Sequence, residues 1–364
     1  MNDRIASLLR PELRDLAAYV PHARPGIEVR LDANEAPENP SPRVREAIAS
    51  AARSLPIERY PDPQALALKS AIAAISGARV DELLVGSGSD EVISLILTAF
   101  ARAREGVPQP TLLTPTPTFV MYRVTARGHG WKVVEVPLDA SWDLDVAGMK
   151  RAIEFMRPNV VFVASPNNPT GNTMSEARMA ALIEASPDAL VVVDEAYVDF
   201  STASLSSWRA RYSNLAILRT LSKVGLASLR VGWLEAAPQV IAALDKVRQP
   251  FNLSALSQRA AQAVISSAWQ DVTAHVDAIK RERARVSDRV AATGCVVTQS
   301  DANFVWVRTP VPAELAFEGL AARGILVRSF HSVGGRLANQ LRISIGSEAD
   351  NSRMLEALQS CVLG

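Results

Sequence analysis

Lys223 lies in the stretch Arg219 to Arg230, RTLSKVGLASLR, between two apolar runs, LAIL and VGWL. A lysine between two segments that read as buried strands is either solvated by a surface turn or sheltered. A sheltered amine with an accessible neutral form can attack a carbonyl carbon and carry a proton. Two other apolar runs end on chemistry-bearing residues. ALVVVDEAYVDF delivers Asp194 at its carboxyl end, with Tyr197 three residues on, and NVVFVAS empties into PNNPTGN, which holds Asn167, Asn168 and Gly171. In open α/β sheets, ligands bind beyond the carboxyl ends of the strands. Taken singly, each feature has an ordinary reading: an Asp after a strand is often a helix cap, NNPTG is common turn composition, and most lysines are solvated. An Asn, an Asp with a Tyr, and a Lys at three successive strand ends are a different matter. A fourth element, GSGSDE at 86–91, follows a strand and opens a helix. Glu91 stands where a dinucleotide fingerprint needs its third glycine, but small residues and free amides at a helix start can still hold a phosphate.

The elements that must position these residues alternate. Strands are expected at 82–86, 111–114, 132–136, 159–165, 189–195, 215–220 and 230–234. Most are near-continuous apolar runs, as in strands covered on both faces. Helices are expected at 89–103 and 175–186, and a helix from Val44 follows the proline-rich loop 37–43. This alternation predicts an α/β fold with a mainly parallel central sheet. Past about residue 250 the rhythm changes to one long helical run over 254–291, four short strands and a helix from Glu348. The expected organisation is an N-terminal arm, 1–43, belonging to a small domain; a large domain, 44–250; and a linking helix with a smaller α+β domain, 251–364.

Composition narrows the function classes. The chain has 364 residues, 48% of them hydrophobic and only 5% aromatic, so an aliphatic core is expected. Lysine plus arginine number 39 against 38 acidic residues, which argues against a nucleic-acid surface. Two cysteines, Cys295 and Cys361, are too few for a disulfide framework or a paired-thiolate metal site. No run approaches the roughly 18 apolar residues of a membrane span, and the N-terminus lacks a secretory apolar core. A cytoplasmic protein is the expectation.

The motifs SPNNPTG, VVVDEAYVDF and RTLSKVGLASLR, in this order with YPDPQ and GSGSDE upstream, resemble those of the fold-type-I aminotransferases that use pyridoxal 5′-phosphate. Within them the resemblance is strongest to the histidinol-phosphate aminotransferase family, and it runs from LDANEAP (31–37) to LRISIGS (341–347). It implies that Lys223 bonds covalently to the cofactor aldehyde and moves the substrate's Cα proton. Asp194 then pairs with the pyridine nitrogen, while Asn168 and Tyr197 hydrogen-bond the phenolic oxygen. The phosphate falls to amides around Gly88, Ser89 and Asp90, to Ser222 and Arg230, and to Thr220 as a further contributor. Phe119 matches the aromatic that stacks on the ring. Tyr60, in RYPDPQ, matches the residue that reaches the phosphate from a second subunit, which implies a homodimer with shared active sites. Arg230 stands seven residues beyond Lys223, one fewer than in many relatives, and the turn between them should differ.

Substrate selection falls to the small domain. Arg328 and Arg342 lie on apolar strands, where a guanidinium is costly unless paired. Both are expected to receive anions, with Arg342 matching the family's carboxylate clamp. Tyr19 and Asn34 match N-terminal segments that close over the site, Tyr19 as a donor to a substrate phosphate. The implied partners are small molecules, histidinol phosphate and glutamate or 2-oxoglutarate, with no nucleic acid and no membrane. Aromatic-amino-acid aminotransferases and threonine-phosphate decarboxylase share the scaffold and remain alternatives. A transcriptional sensor would need a DNA-binding domain for which there is no room.

Overall fold

The computed structural model describes residues 3–13, 24–39 and 41–363. Tyr19 lies outside them. The strands are β1 (Val29–Leu31), β2 (Leu83–Ser87), β3 (Thr111–Thr116), β4 (Lys132–Pro137), β5 (Val160–Ala164), β6 (Leu190–Asp194), β7 (Leu215–Thr220), β8 (Val231–Glu235), β9 (Val296–Thr298), β10 (Phe304–Arg308), β11 (Ile325–Ser329) and β12 (Gln340–Ser344).

Seven of them form one sheet in the order β2-β8-β7-β6-β5-β3-β4. Pairs from β4 through β7 are parallel, while β8 runs antiparallel to both β2 and β7. The continuous apolar runs are explained by cover on both sides. Leu112, Phe162, Val192 and Leu218 face the helix Ser89–Ala99. Their sequence neighbours Leu113, Val161, Val193 and Ile217 face the helix Glu176–Glu184, as the period of two demands. Each such apolar side chain contributes about 1.5–3 kcal/mol on burial, so neither face of β5 or β6 tolerates a polar group except at the ends.

The topology gathers one edge. The carboxyl ends of β2, β3, β5, β6 and β7 lie together, and because β8 is reversed its amino end joins them. Arg230, immediately before β8, therefore reaches the same edge as Asp194 and Lys223.

A second sheet of five strands, β1-β11-β12-β10-β9, carries Arg328 and Arg342. It packs on the helices Trp269–Ala291, Ala313–Ala321 and Glu348–Leu363 through an aliphatic core. The N-terminal segment enters this sheet because β1 pairs in parallel with β11. The two sheets are tied at several points. Arg336 donates to the carbonyls of Leu138 and Asp139, both at 2.8 Å, and stacks 3.6 Å from the Trp142 ring centre. Thr173 donates to Asp301 at 2.8 Å.

Three helices differ from expectation. The helix from Ser89 ends at Ala99 and not at 103, because the Asn159 side chain claims the carbonyls of Phe100 and Arg102. The run 254–291 is two helices, Ala255–Ser267 and Trp269–Ala291, broken at Ala268 with φ −135°; Arg43 satisfies the Ser267 carbonyl at the break. The helix expected from Val44 begins at Pro42, behind the cap Ser41, whose hydroxyl accepts the Arg43 N–H.

Candidate active site

Asp194 ends β6 and is 5% exposed. Burial raises its pKa to about 6, since a carboxylate withdrawn from water resists ionising. The Tyr122 hydroxyl, donating to Oδ2 at 2.5 Å, and the Ala196 N–H, donating to Oδ1 at 3.0 Å, pull the other way. Among the described residues no cation touches it, although the nearby charge of Lys223 also favours its ionised form. The next residue, Glu195, points to the opposite side of the strand and binds Arg219 at 2.7 Å, the Ser204 hydroxyl at 2.9 Å and the Leu205 N–H at 2.6 Å. That network anchors the end of β6 and leaves only Asp194 for the cleft.

Tyr122 was not singled out in the sequence. It is fully buried, stacked on Phe162 with 4.8 Å between ring centres. Burial and the neighbouring Asp194 carboxylate push its phenol pKa well up, so it stays a donor. The available signal was its place three residues after Phe119, on the same helical face. Phe119 is half-buried and meets Tyr122 edge-on at 5.4 Å.

Lys223 lies in a one-turn helix, Ser222–Val224, directly after β7. It is half-buried, with Nζ 5.8 Å from the centre of the Tyr197 ring. Thr220, 3% exposed, accepts the Ser222 N–H at 3.1 Å and lies 2.9 Å from the Ser222 Oγ. Its hydroxyl is spent on holding Ser222 and on the Val231 carbonyl.

A cradle of backbone amides and a guanidinium is built by β2, its following helix and β8. Gly88 (φ 80°) has its own N–H taken by the Arg230 carbonyl at 2.8 Å, so the amides left facing outward are those of Ser89 and Asp90 in the first helical turn. The Arg230 guanidinium lies against Gly88, where a Cβ would fall 2.5 Å from Nη2, and reaches Asp90 at 3.5 Å. The shortened loop thus delivers Arg230 through two tight turns, with Gly225 at φ 90° and Arg230 itself at φ 52°. Glu91 accepts the Ser87 N–H at 2.5 Å and the Asn252 amide at 2.8 Å, closing the loop by side chain and not by a third glycine. Gly232, also missed, lets β8 approach: a Cβ there would fall 2.6 Å from the Gly88 carbonyl carbon and onto the Ser89 nitrogen.

The polar loop after β5 divides its two asparagines. Asn167 is fully buried and accepts from Thr118 at 2.8 Å while donating to Pro117 O and Thr170 Oγ1. It is a brace between the loops after β3 and β5. Asn168 faces the cleft, where its Oδ1 accepts from Arg342 Nη1 at 2.7 Å. Arg342 also donates to the Asp32 carbonyl. Arg328 is its register partner on β11. Tyr197, 5% exposed, accepts from Asn34 Nδ2 at 2.8 Å. Tyr60 is apart from this cluster, 82% exposed and stacked on Phe251 with 4.6 Å between centres.

An anion cradle, a buried carboxyl that no cation touches among the described residues and a half-sheltered amine suit a planar cationic ring with a phosphate arm and an electrophilic carbon. With the mixed seven-stranded sheet, they define an enzyme of the fold-type-I transferase class. The chain belongs to the aminotransferase class I and II family, whose sequence profile matches residues 27–358. It is 39% identical over 362 residues to histidinol-phosphate aminotransferase 2 of Nitrosococcus oceani, covering 98% of each chain. It is 37% identical to histidinol-phosphate aminotransferase of Chromobacterium violaceum, again over 98% of each. The crystal structure of histidinol-phosphate aminotransferase from Sinorhizobium meliloti, in complex with pyridoxal-5′-phosphate, superposes with a TM-score of 0.85 at 26% identity, covering 98% of each chain.

Proposed function

We propose that the protein is a pyridoxal-phosphate-dependent transaminase that exchanges an amino group between L-histidinol phosphate and 2-oxoglutarate, in histidine biosynthesis. The near full-length similarity to enzymes of that name supports the reading. The structural observation that carries it is the pair Arg328 and Arg342, directly opposite each other on adjacent strands. Like charges so placed repel. Among the described residues Arg328 is half-buried and has no ion-pair or hydrogen-bond partner, so an anion is what would stabilise the pair. A phosphate monoester in one half-reaction and the α-carboxylate of glutamate in the other meet the same requirement.

The residues present fit the cofactor. Asp194 would hold the ring nitrogen, Asn168 and Tyr197 the ring oxygen, and Ser89, Asp90, Ser222 and Arg230 the phosphate; Phe119 would cover the ring. When bound, pyridoxal phosphate supplies an aldehyde for the amine and a cationic ring that accepts electrons from the substrate carbon. The buried Asp194 carboxylate favours a proton on the ring nitrogen, because that cation relieves its own desolvation. Lys223 Nζ, with no hydrogen-bond acceptor among the described residues, is free to remove the substrate's Cα proton and return one in the second half-reaction. Arg342 orients the substrate, and the ties from Arg336 and Thr173 hold the small sheet over the cleft.

We further assign a cytoplasmic homodimer in which Tyr60 serves the partner's site. Its exposure beside Ile57, 88% exposed, and its stacking on Phe251 support an apolar face suited to a second copy. Among the described residues no helix is long and apolar enough to cross a membrane.

The test is a half-reaction spectrum. L-histidinol phosphate should bleach the visible band of the purified protein, with phenylalanine and threonine phosphate far slower. Carbon dioxide release from threonine phosphate, or a preference for phenylalanine, would displace the substrate assignment. Lys223→Ala should lose the borohydride-reducible lysine adduct; its retention sinks the cofactor assignment.

A further inference from the structure

Asn34, expected as part of a segment closing over the substrate, instead binds Tyr197, and the polarity of that bond is determined by its neighbours. The Asn34 N–H donates to Ser344 Oγ at 2.9 Å. The Ser344 proton must then go elsewhere, and its acceptor among the described residues is Asn34 Oδ1 at 3.2 Å. An amide whose oxygen is engaged by a hydroxyl donor presents its nitrogen on the other side. Nδ2 accordingly donates to Tyr197 Oη at 2.8 Å. Asn303 holds the Asn34 carbonyl at 2.9 Å, which keeps the backbone at φ 56°.

Tyr197 Oη is therefore an acceptor toward Asn34, and its own proton has no acceptor among the described residues although the side chain is 5% exposed. A buried donor left unsatisfied is costly, so the proton is aimed at a group the chain does not contain. We infer that Ser344 and Asn34 act as positioning residues that orient Tyr197 as a one-way hydrogen-bond donor to the ring oxygen of the bound cofactor. The inference rests on the cofactor assignment above and extends it to two residues that touch neither ring nor substrate.

Donation to a phenolate oxygen favours the more negative form of the bound cofactor and lowers the pH at which its visible band titrates. The test is that titration on purified holoenzyme. Tyr197→Phe sets the full effect, an upward shift of about one to two pH units. Asn34→Asp preserves size and tolerates the left-handed backbone, but a carboxylate only accepts, so it turns the phenol proton away from the site. It also adds a charge, whose own effect is measured by the same substitution in the Tyr197→Phe background. The expected shift for Asn34→Asp is larger by about one unit when Tyr197 is present. Ser344→Ala, which adds no charge, frees the amide to reverse and should raise the midpoint by about half a unit. Equal Asn34→Asp shifts in the two backgrounds, or a Ser344→Ala midpoint identical to the parent's, overturn the inference. A parent protein with no visible band overturns the cofactor assignment itself and the inference with it.

Discussion

The hydroxyl of Tyr122 donates to Oδ2 of Asp194 across 2.5 Å, joining residues 72 positions apart. It partly offsets the burial that pushes the carboxyl up to about 6. Tyr122→Phe removes a bond to a charged acceptor, worth about 1.5–3 kcal/mol. The ring should still pack on Phe162, so the variant should fold, with a stability loss no larger than that bond. The turnover number should fall about tenfold, as Asp194 becomes less able to stay ionised opposite the ring nitrogen. Steady-state kinetics on the folded variant check this, and an unchanged turnover number counts against the role given to Asp194.

Asp194 also makes the cofactor-free protein sensitive to pH. Its carboxyl titrates near 3.8 unfolded and near 6 folded, so between those values the folded state binds the extra proton. The stability it allows is complete below the lower value and is lost as pH rises through the upper one, by up to about 3 kcal/mol. Asp194→Asn should abolish that decline and leave the cofactor-free variant the more stable protein at pH 7. Thermal melts of both proteins from about pH 4 to 7 decide it; parallel curves refute the assignment.

Gly232 sets how near β8 comes to the phosphate cradle. Gly232→Ala drives a methyl group into Gly88 and the Ser89 amide, with a strain of about 1–3 kcal/mol. Cofactor affinity should drop roughly tenfold or more, with a smaller effect on KM for the amino donor. Equilibrium dialysis against pyridoxal phosphate measures it.

Arg342→Lys keeps the charge and loses the fork that spans Asn168 Oδ1 and the Asp32 carbonyl. An ammonium is a point charge and does not reproduce two directed bonds. KM should rise about 10- to 100-fold for both amino donor and oxo-acid acceptor, while cofactor affinity stays near the parent value. A rise for only one of the two substrates contradicts a shared anion pocket.

Much of this site is legible in the sequence. Asp194, Tyr197, Asn168 and Lys223 stand at strand ends, and a strand end is a local feature marked by an apolar run giving way to polar residues. The reversed β8 was not legible, since antiparallel and parallel neighbours have the same apolar pattern when both faces are covered. Its direction is what brings Arg230 to the cradle despite the short loop. The Gly88 amide looked available in a glycine-rich turn, yet the Arg230 carbonyl had claimed it. The break at Ala268 lies inside a continuous helical pattern, and only the engagement of the Ser267 carbonyl by Arg43 marks it.

By itself, the sequence determined which chemistry the protein carries, because the reactive residues, their order and the apolar runs that end on them are properties of short segments. The tertiary structure decided how those residues are tuned: Tyr122 on Asp194, Asn34 on Tyr197, Arg342 on Asn168. Each of these contacts joins residues 72 to 174 positions apart. The physical reason is that a hydrogen bond depends on distance and direction in space, which chain spacing over such lengths does not encode.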